Sequence, residues 1–250
     1  MRNVPTIKEL KKFEKIDAQG PILRACDFVA VYAGKLFLYL PLTPNQVTLL
    51  WILVKMIGLL LLVPGEYMLA VVGVLIFHLG SIIDGADGIV ARARQHFSLN
   101  GVYVDYVGHY LTNSLVLVAL AFGVYFQTGV ARAFIPAAIG VFCFLVSKAS
   151  SLNPEWYSNP MQKAKAEELI YGKNIALKKS KNKLIALVFD VIRLENPFNV
   201  FFWGVVFGYP VVVLWIYAAS NFLEMVRKIF VQFYRIYVDE KKYVESSIDK

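Results

Sequence analysis

The chain has 250 residues, of which 58% are hydrophobic, with a formal charge of +8, a mean hydropathy of +0.55 and a pI near 9.3. Ordinary soluble domains carry roughly 45 to 50% apolar residues, so this composition excludes that class and predicts a membrane protein. Cys26 and Cys143 are isolated, which excludes a disulfide framework and a thiolate metal site. The basic excess lies where a multi-span protein keeps its cytoplasmic side, so the expected partner is anionic lipid headgroups and not nucleic acid.

Residues 1 to 20 are charged and have no apolar core of the kind a cleaved signal peptide needs. Ile7, Leu10, Phe13 and Ile16 recur every three residues with lysines set mostly away from them, which predicts a short amphipathic helix on the membrane or on the protein's own cytoplasmic face. Residues 21 to 40 are long enough to span, but Arg24, Asp27 and Lys35 interrupt them, at roughly 2.5 to 3.5 kcal/mol each near a bilayer centre. They read as a second interfacial helix. Pro41 and Pro44 end it, and Thr43 or Asn45 caps a first span from Val47 to Val63. Lys55 falls roughly 15 Å along that span, so it faces the bundle or a polar cavity, either snorkelling or pairing with an internal acid.

Pro64-Gly65-Glu66 turns into a second span, 68 to 90, whose far end carries Asp84, Asp87, Gly88 and Ala91 before Arg92 and Arg94 close it. On a helix Asp84 and Asp87 share a face with two residues that have almost no side chain. A polar link, 94 to 100, leads to a third span, 102 to 126, with Asp105 and His109 four apart at its start. Two helix ends thus present three carboxylates and one imidazole to a shared space. Carboxylates roughly 4 Å apart repel by about 4 kcal/mol at an effective dielectric near 20, so the cluster calls for a cation. Oxygen ligands favour magnesium, manganese or calcium over zinc. His78 reads as a packing histidine and His96 as a loop residue.

A fourth span, 133 to 145, runs on into Lys148, and a Lys-rich connection occupies 148 to 183. Residues 184 to 194 continue as an interfacial helix or as the entry to a fifth span, which is either 184 to 208 or 198 to 208. A sixth span is expected over 210 to 232, before a charged tail, 239 to 250. The expected architecture is therefore all-α, with interfacial helices over 1 to 42 and a six-span domain over 43 to 238. Both termini, the 92 to 100 link and the Lys-rich insert then share one side, which the positive-inside rule makes cytoplasmic and which places the acidic cluster at that interface.

The intervals Asp84, Asp87-Gly88, Ala91-Arg92, Gly101, Asp105, His109 resemble the signature of the CDP-alcohol phosphotransferases, membrane enzymes of phospholipid synthesis. Seven of the eight fixed positions match, and the eighth, normally a fourth aspartate, is His109. TPNQVTLL, residues 43 to 50, is similar to that family's entry to the first span. The resemblance implies a homodimer that transfers a substituted phosphate from a CDP-linked donor, CDP-diacylglycerol or a CDP-alcohol, to an alcohol acceptor with release of CMP. It further implies two Mg2+ or Mn2+ ions held by Asp84, Asp87, Asp105 and the residue at 109, which is also the general base. Gly88 and Ala91 would make room for the CDP moiety, Arg92 would fix the pocket, Gly101 would open the next helix, and Asn45 and Thr48 would touch the nucleotide. Lys148 and Arg193 are candidate cations for an anionic acceptor or headgroup. An imidazole can accept a proton and bind a metal near neutral pH, but it removes one negative charge, which weakens the case for the second ion. The readings are thus an enzyme with a histidine base, a CDP-compound binder that has lost its chemistry, or an introduced substitution.

Overall fold

The computed structural model describes residues 4–13, 21–96, 98–150 and 198–248, and every regular element among them is helical. In chain order these are α1 (Ile7–Leu10, continued as a 3-10 turn, Lys11–Phe13), α2 (Pro21–Tyr39), α3 (Pro44–Leu62), α4 (Tyr67–Ala93), α5 (Leu99–Thr128), α6 (Phe134–Ala149, after a 3-10 turn, Ala131–Ala133), α7 (Phe198–Val206) and α8 (Pro210–Ile248). Four stretches are long and apolar enough to cross a membrane: α3, α4, α5 and Ala131–Ala149. The six-span expectation is thus met by four of the described helices. The described residues of α7 cover about 14 Å at about 1.5 Å per residue, the residues immediately before Phe198 lying outside those described, and α8 carries Glu224, Arg227 and Lys228 along its length. The helix expected over 184 to 194, the Lys-rich connection beyond residue 150, and Ile16 lie outside the described residues.

The helices start and stop where local chemistry dictates. Thr43 caps α3 in a reciprocal box with Gln46, Pro44 sits at the first turn, and Asn45 is left for another partner. Ser98 caps α5 by accepting the Gly101 N–H. α4 closes in a Schellman arrangement: the Gln95 N–H donates to the Arg92 carbonyl and the His96 N–H to that of Ala91, with Gln95 in the left-handed region at φ 50°. The turn from α3 to α4 depends on Gly65, whose φ of 76° brings its Cα edge against the Gly123 carbonyl of α5.

α3 and α4 pack most extensively, and glycines make that approach possible. A Cβ on Gly58 would lie 2.6 Å from the Gly73 carbonyl oxygen, and one on Gly73 the same distance from that of Gly58. The inward stripe of α3, Val47, Thr48, Trp51, Lys55, Gly58, Leu59 and Leu62, is buried, while Leu49, Leu53, Ile57 and Leu60 are exposed on the opposite face, as a lipid-facing surface should be. α2 lies across α4, with Ala30 against Gly85 and Gly34 against Ile89. α1 packs on the protein itself: Leu10 is fully buried in the cluster formed by Val31, Val47, Trp51, Ile83 and Ile89, and Lys11 Nζ sits 5.5 Å from the Phe28 ring. α8 runs along α6, where Asn221 Nδ2 donates to the Gly140 carbonyl at 3.2 Å. His78 is a packing residue, as expected, with Nδ1 2.8 Å from the Val74 carbonyl and its ring among Phe77, Phe201 and Phe202.

Arg94 is the clamp between α2 and α4. Its guanidinium donates to the carbonyls of Phe37, Leu38, Leu40 and Leu42, in the last turn of α2 and the segment that follows it. Arg94→Ala removes these hydrogen bonds, leaving the Phe37 carbonyl the Leu40 N–H, and is expected to cost about 1 to 3 kcal/mol, read as a lowered thermal midpoint in detergent. Gln95→Gly removes the left-handed strain of a side-chain-bearing residue and should raise the midpoint, by about 1 kcal/mol of stability. A Gln95→Gly midpoint at or below that of the parent would refute this.

Candidate active site

The end of α4 and the starts of α3 and α5 converge at one end of the bundle. Asn45 and Ser98 join the two helix starts: Asn45 Nδ2 donates to Ser98 Oγ at 3.0 Å, and Ser98 Oγ lies 3.1 Å from Asn45 Oδ1. Beneath this link lies an open cleft of about 550 Å³, counting the space at its mouth. One wall is Pro44, Asn45 and Thr48 of α3; a second is Asp87, Gly88, Ala91 and Arg92 of α4; the third is Ser98, Gly101, Val102 and Asp105 around the start of α5, with His96 at the rim. All of the sequence-derived nucleotide positions, Asn45, Thr48, Gly88, Ala91, Arg92 and Gly101, are therefore brought together. His96 lines this cleft, where the sequence reading had only a loop residue.

The glycines serve their neighbours here. A Cβ on Gly88 would meet the Arg92 guanidinium at 3.0 Å, so the bare face lets that guanidinium lie back along its own helix. A Cβ on Gly101 would collide with the Asn45 amide. Arg92 Nε is buried without a hydrogen-bond partner, a donor held in the cleft wall.

Deeper in, Asp84, Asp105 and His109 each offer a ligand atom, all within 4.8 Å of one another, a set that could hold a metal ion. His109 Nε2 is 3.6 Å from Asp84 Oδ1 and 3.6 Å from Asp105 Oδ1. Asp105 belongs to both the cleft and this trio and so connects them. Asp87 is not in the trio. Its Oδ2 accepts from Thr48 Oγ1 at 2.8 Å and from Trp51 Nε1 at 3.1 Å.

Two residues outside the motif complete the arrangement. Lys55, 1% exposed, places Nζ 3.0 Å from Asp84 Oδ2, so the internal-acid pairing that its position suggested is realised with the first motif aspartate. Its stem passes over Gly80, where a Cβ would lie 2.5 Å from Lys55 Cγ. Trp51, fully buried, touches three members of the group: it donates to Asp87, lies 4.3 Å under Lys55 Nζ and sits against the His109 ring at 4.9 Å between centroids. Sequence reasoning missed Trp51. The available signal was the spacing of Thr48, Trp51 and Lys55, three and four apart, which puts a polar stripe on an otherwise apolar span.

Of the other two candidate cations, Lys148 stands apart. Lys148 does not line the cleft; its ammonium lies 6.0 Å from the Tyr110 ring and 5.5 Å from that of Phe144, near Glu224 and Lys228 of α8. Arg193 lies outside the described residues.

Comparison with known proteins agrees with this geometry. Residues 41–219 match the family model described as CDP-alcohol phosphatidyltransferase, which covers more than half of the chain and takes in α3 to α7 and the start of α8. A 109-residue segment is 33% identical to the bifunctional IPC transferase and DIPP synthase of Rubrobacter xylanophilus, a match that covers 44% of this chain and 24% of that protein. The chain thus spans about a quarter of that relative. With four apolar helices long enough to cross a bilayer, the family's motif gathered at one end of them and a family match over most of its length, this chain is an integral membrane member of the CDP-alcohol phosphatidyltransferase family.

Proposed function

We propose that the protein transfers a substituted phosphate from a CDP-linked donor, with CDP-diacylglycerol favoured, to an alcohol acceptor, and that CMP leaves. The observation that carries this reading is the single cleft that unites Asn45, Thr48, Asp87, Arg92 and Asp105 and opens onto the trio of Asp84, Asp105 and His109. In that reaction the alcohol oxygen bonds to the outer phosphorus of the donor. The bond from that phosphorus to the bridging oxygen breaks, and the bridging oxygen departs with CMP.

The chain's own groups suit a pyrophosphate. The starts of α3 and α5 direct the positive ends of two helices toward the cleft. Arg92 brings a guanidinium to the wall. Asn45, held by Ser98, would contact the nucleotide, and Thr48 and Trp51 hydrogen-bond Asp87. The residues present fit a divalent cation at Asp84, Asp105 and His109, where it would supply positive charge against the pyrophosphate oxygens.

His109 has a second reading, favoured by the same 3.6 Å distances: the two carboxylates that flank Nε2 would also steady an imidazolium formed when it takes the alcohol's proton. One nitrogen serves one role at a time. The six-span topology, cytoplasmic placement of the cleft and both termini, and a homodimer are part of the proposal; the Lys-rich stretch 148 to 183 supports the sidedness. The relative's name covers two activities and the match covers a quarter of it, so the acceptor is left open.

The test is CMP release by purified protein with Mn2+ or Mg2+, using labelled CDP-diacylglycerol and a panel of alcohols, with CDP-choline and diacylglycerol as the reverse arrangement. Asp84→Ala and Asp105→Ala should each lower turnover at least 100-fold, about 2.7 kcal/mol, while Arg92→Ala should act mainly on KM for the donor. CMP from no donor would sink the enzyme in favour of a CDP-compound binder. His109→Asp separates the roles of that residue. An acid limb of the pH–rate profile that moves down marks a base, whereas an unmoved limb with altered metal preference marks a ligand.

A further inference from the structure

We infer that this site takes one divalent cation per chain, held by Asp84, Asp105 and His109, and that the buried ammonium of Lys55 stands in place of a second ion. The inference rests on the reading of the cleft as a CDP-donor site, and it departs from the two ions that a four-aspartate motif implies.

Asp84 carries the first argument. A carboxylate shared by two ions offers them its two oxygens, but here the oxygens are already divided. Oδ1 faces His109 Nε2 at 3.6 Å, and Oδ2 faces Lys55 Nζ at 3.0 Å. Lys55 is built into the structure and is no mobile visitor: it is 1% exposed, its stem crosses Gly80, and Nζ lies 4.3 Å from the Trp51 ring and 5.5 Å from that of Phe77. Its charge is thus a fixed part of the bundle, in surroundings where an uncompensated charge would be costly.

Asp87 carries the second. Its Oδ2 is met by Thr48 Oγ1 and Trp51 Nε1, donors from the same stripe of α3 that supplies Lys55. Along this face the aspartates of α4 are answered by a hydroxyl, an indole N–H and an ammonium, and the atoms close enough together to share an ion come from the other side of Asp84, through α5.

Charge supplies the third. Replacing a carboxylate by a neutral imidazole and adding an ammonium each raise the local charge by one unit, and together they equal one divalent ion. Three carboxylates, Lys55 and a single ion balance to zero, as four carboxylates with two ions would. The imidazole also changes the chemistry of the remaining position: a set of two carboxylates and one nitrogen suits Mn2+ better than Mg2+, which prefers oxygen alone.

The experiment counts ions without substrate. Full-length protein is saturated with Mn2+, freed of excess by gel filtration, and measured for manganese per chain and by electron paramagnetic resonance. One ion per chain is expected, with the spectrum of an isolated Mn2+ and a coupling to one directly bound nitrogen that disappears in His109→Asp. The Lys55→Met, His109→Asp double variant is expected to bind two ions, with the broadened spectrum of a magnetically coupled pair. Two ions or none in the parent protein, one ion without nitrogen coupling, or a double variant that stays at one ion would each overturn the inference. The parent's count and nitrogen coupling decide the question even if the double variant fails to fold. Because no donor or alcohol is present, the count can fail while CMP release succeeds, and the reverse.

Discussion

Negative charge gathered inside an apolar bundle is the constraint to which the rest of this structure answers. Asp84, Asp87 and Asp105 approach one another at one end of the helices, beside an open cleft, and carboxylates so gathered repel unless something positive or hydrogen-donating meets them. α3 provides that answer on one stripe: Thr48 and Trp51 to Asp87, Lys55 to Asp84. The remaining side, between Asp84 and Asp105, is answered by His109 from α5. The acidic motif and the first span therefore form one electrostatic unit, although the motif spans only the end of α4 and the beginning of α5.

Close packing is what allows the unit to form. Lys55 reaches Asp84 because Gly80 leaves its stem a channel, and α3 can lie that near to α4 because Gly58 and Gly73 meet backbone to backbone. On the other side, Gly108 accepts the edges of Trp51 and Ile52, which brings the neighbouring His109 ring against the indole. Small residues at these crossings have no electrostatic role of their own. They set the distances at which the charges act, much as contacts between transmembrane helices generally favour residues that let backbones approach.

The periphery holds the mouth of the cleft in shape. Arg94 ties the end of α2 to the end of α4, Gln95 takes a left-handed turn so that the chain can leave α4 abruptly, and Ser98 both caps α5 and holds Asn45. These three residues lie within the short polar link that joins the two halves of the motif. Its brevity keeps the end of α4 and the start of α5 together, so that Asp84, Asp105 and His109 share a space.

The sequence by itself determined the membrane class, the helical character, the approximate bounds of the first four apolar stretches and the identity of the acidic cluster, because hydropathy over some twenty residues and the fixed intervals from Asp84 to His109 are local properties of the chain. It also showed that Lys55 had to face inward. What tertiary structure alone decided was the division of labour among the acids: that Asp84 is shared between Lys55 and His109, that Asp87 is turned toward Thr48 and Trp51, that Arg94 serves α2 and that Lys148 rests among aromatic rings away from the cleft. Apart from the contact of Lys148 with Phe144 on its own helix, each of these joins residues distant in sequence or on different helices, fixed by the rotation and spacing of one helix against another, and no local pattern encodes that rotation.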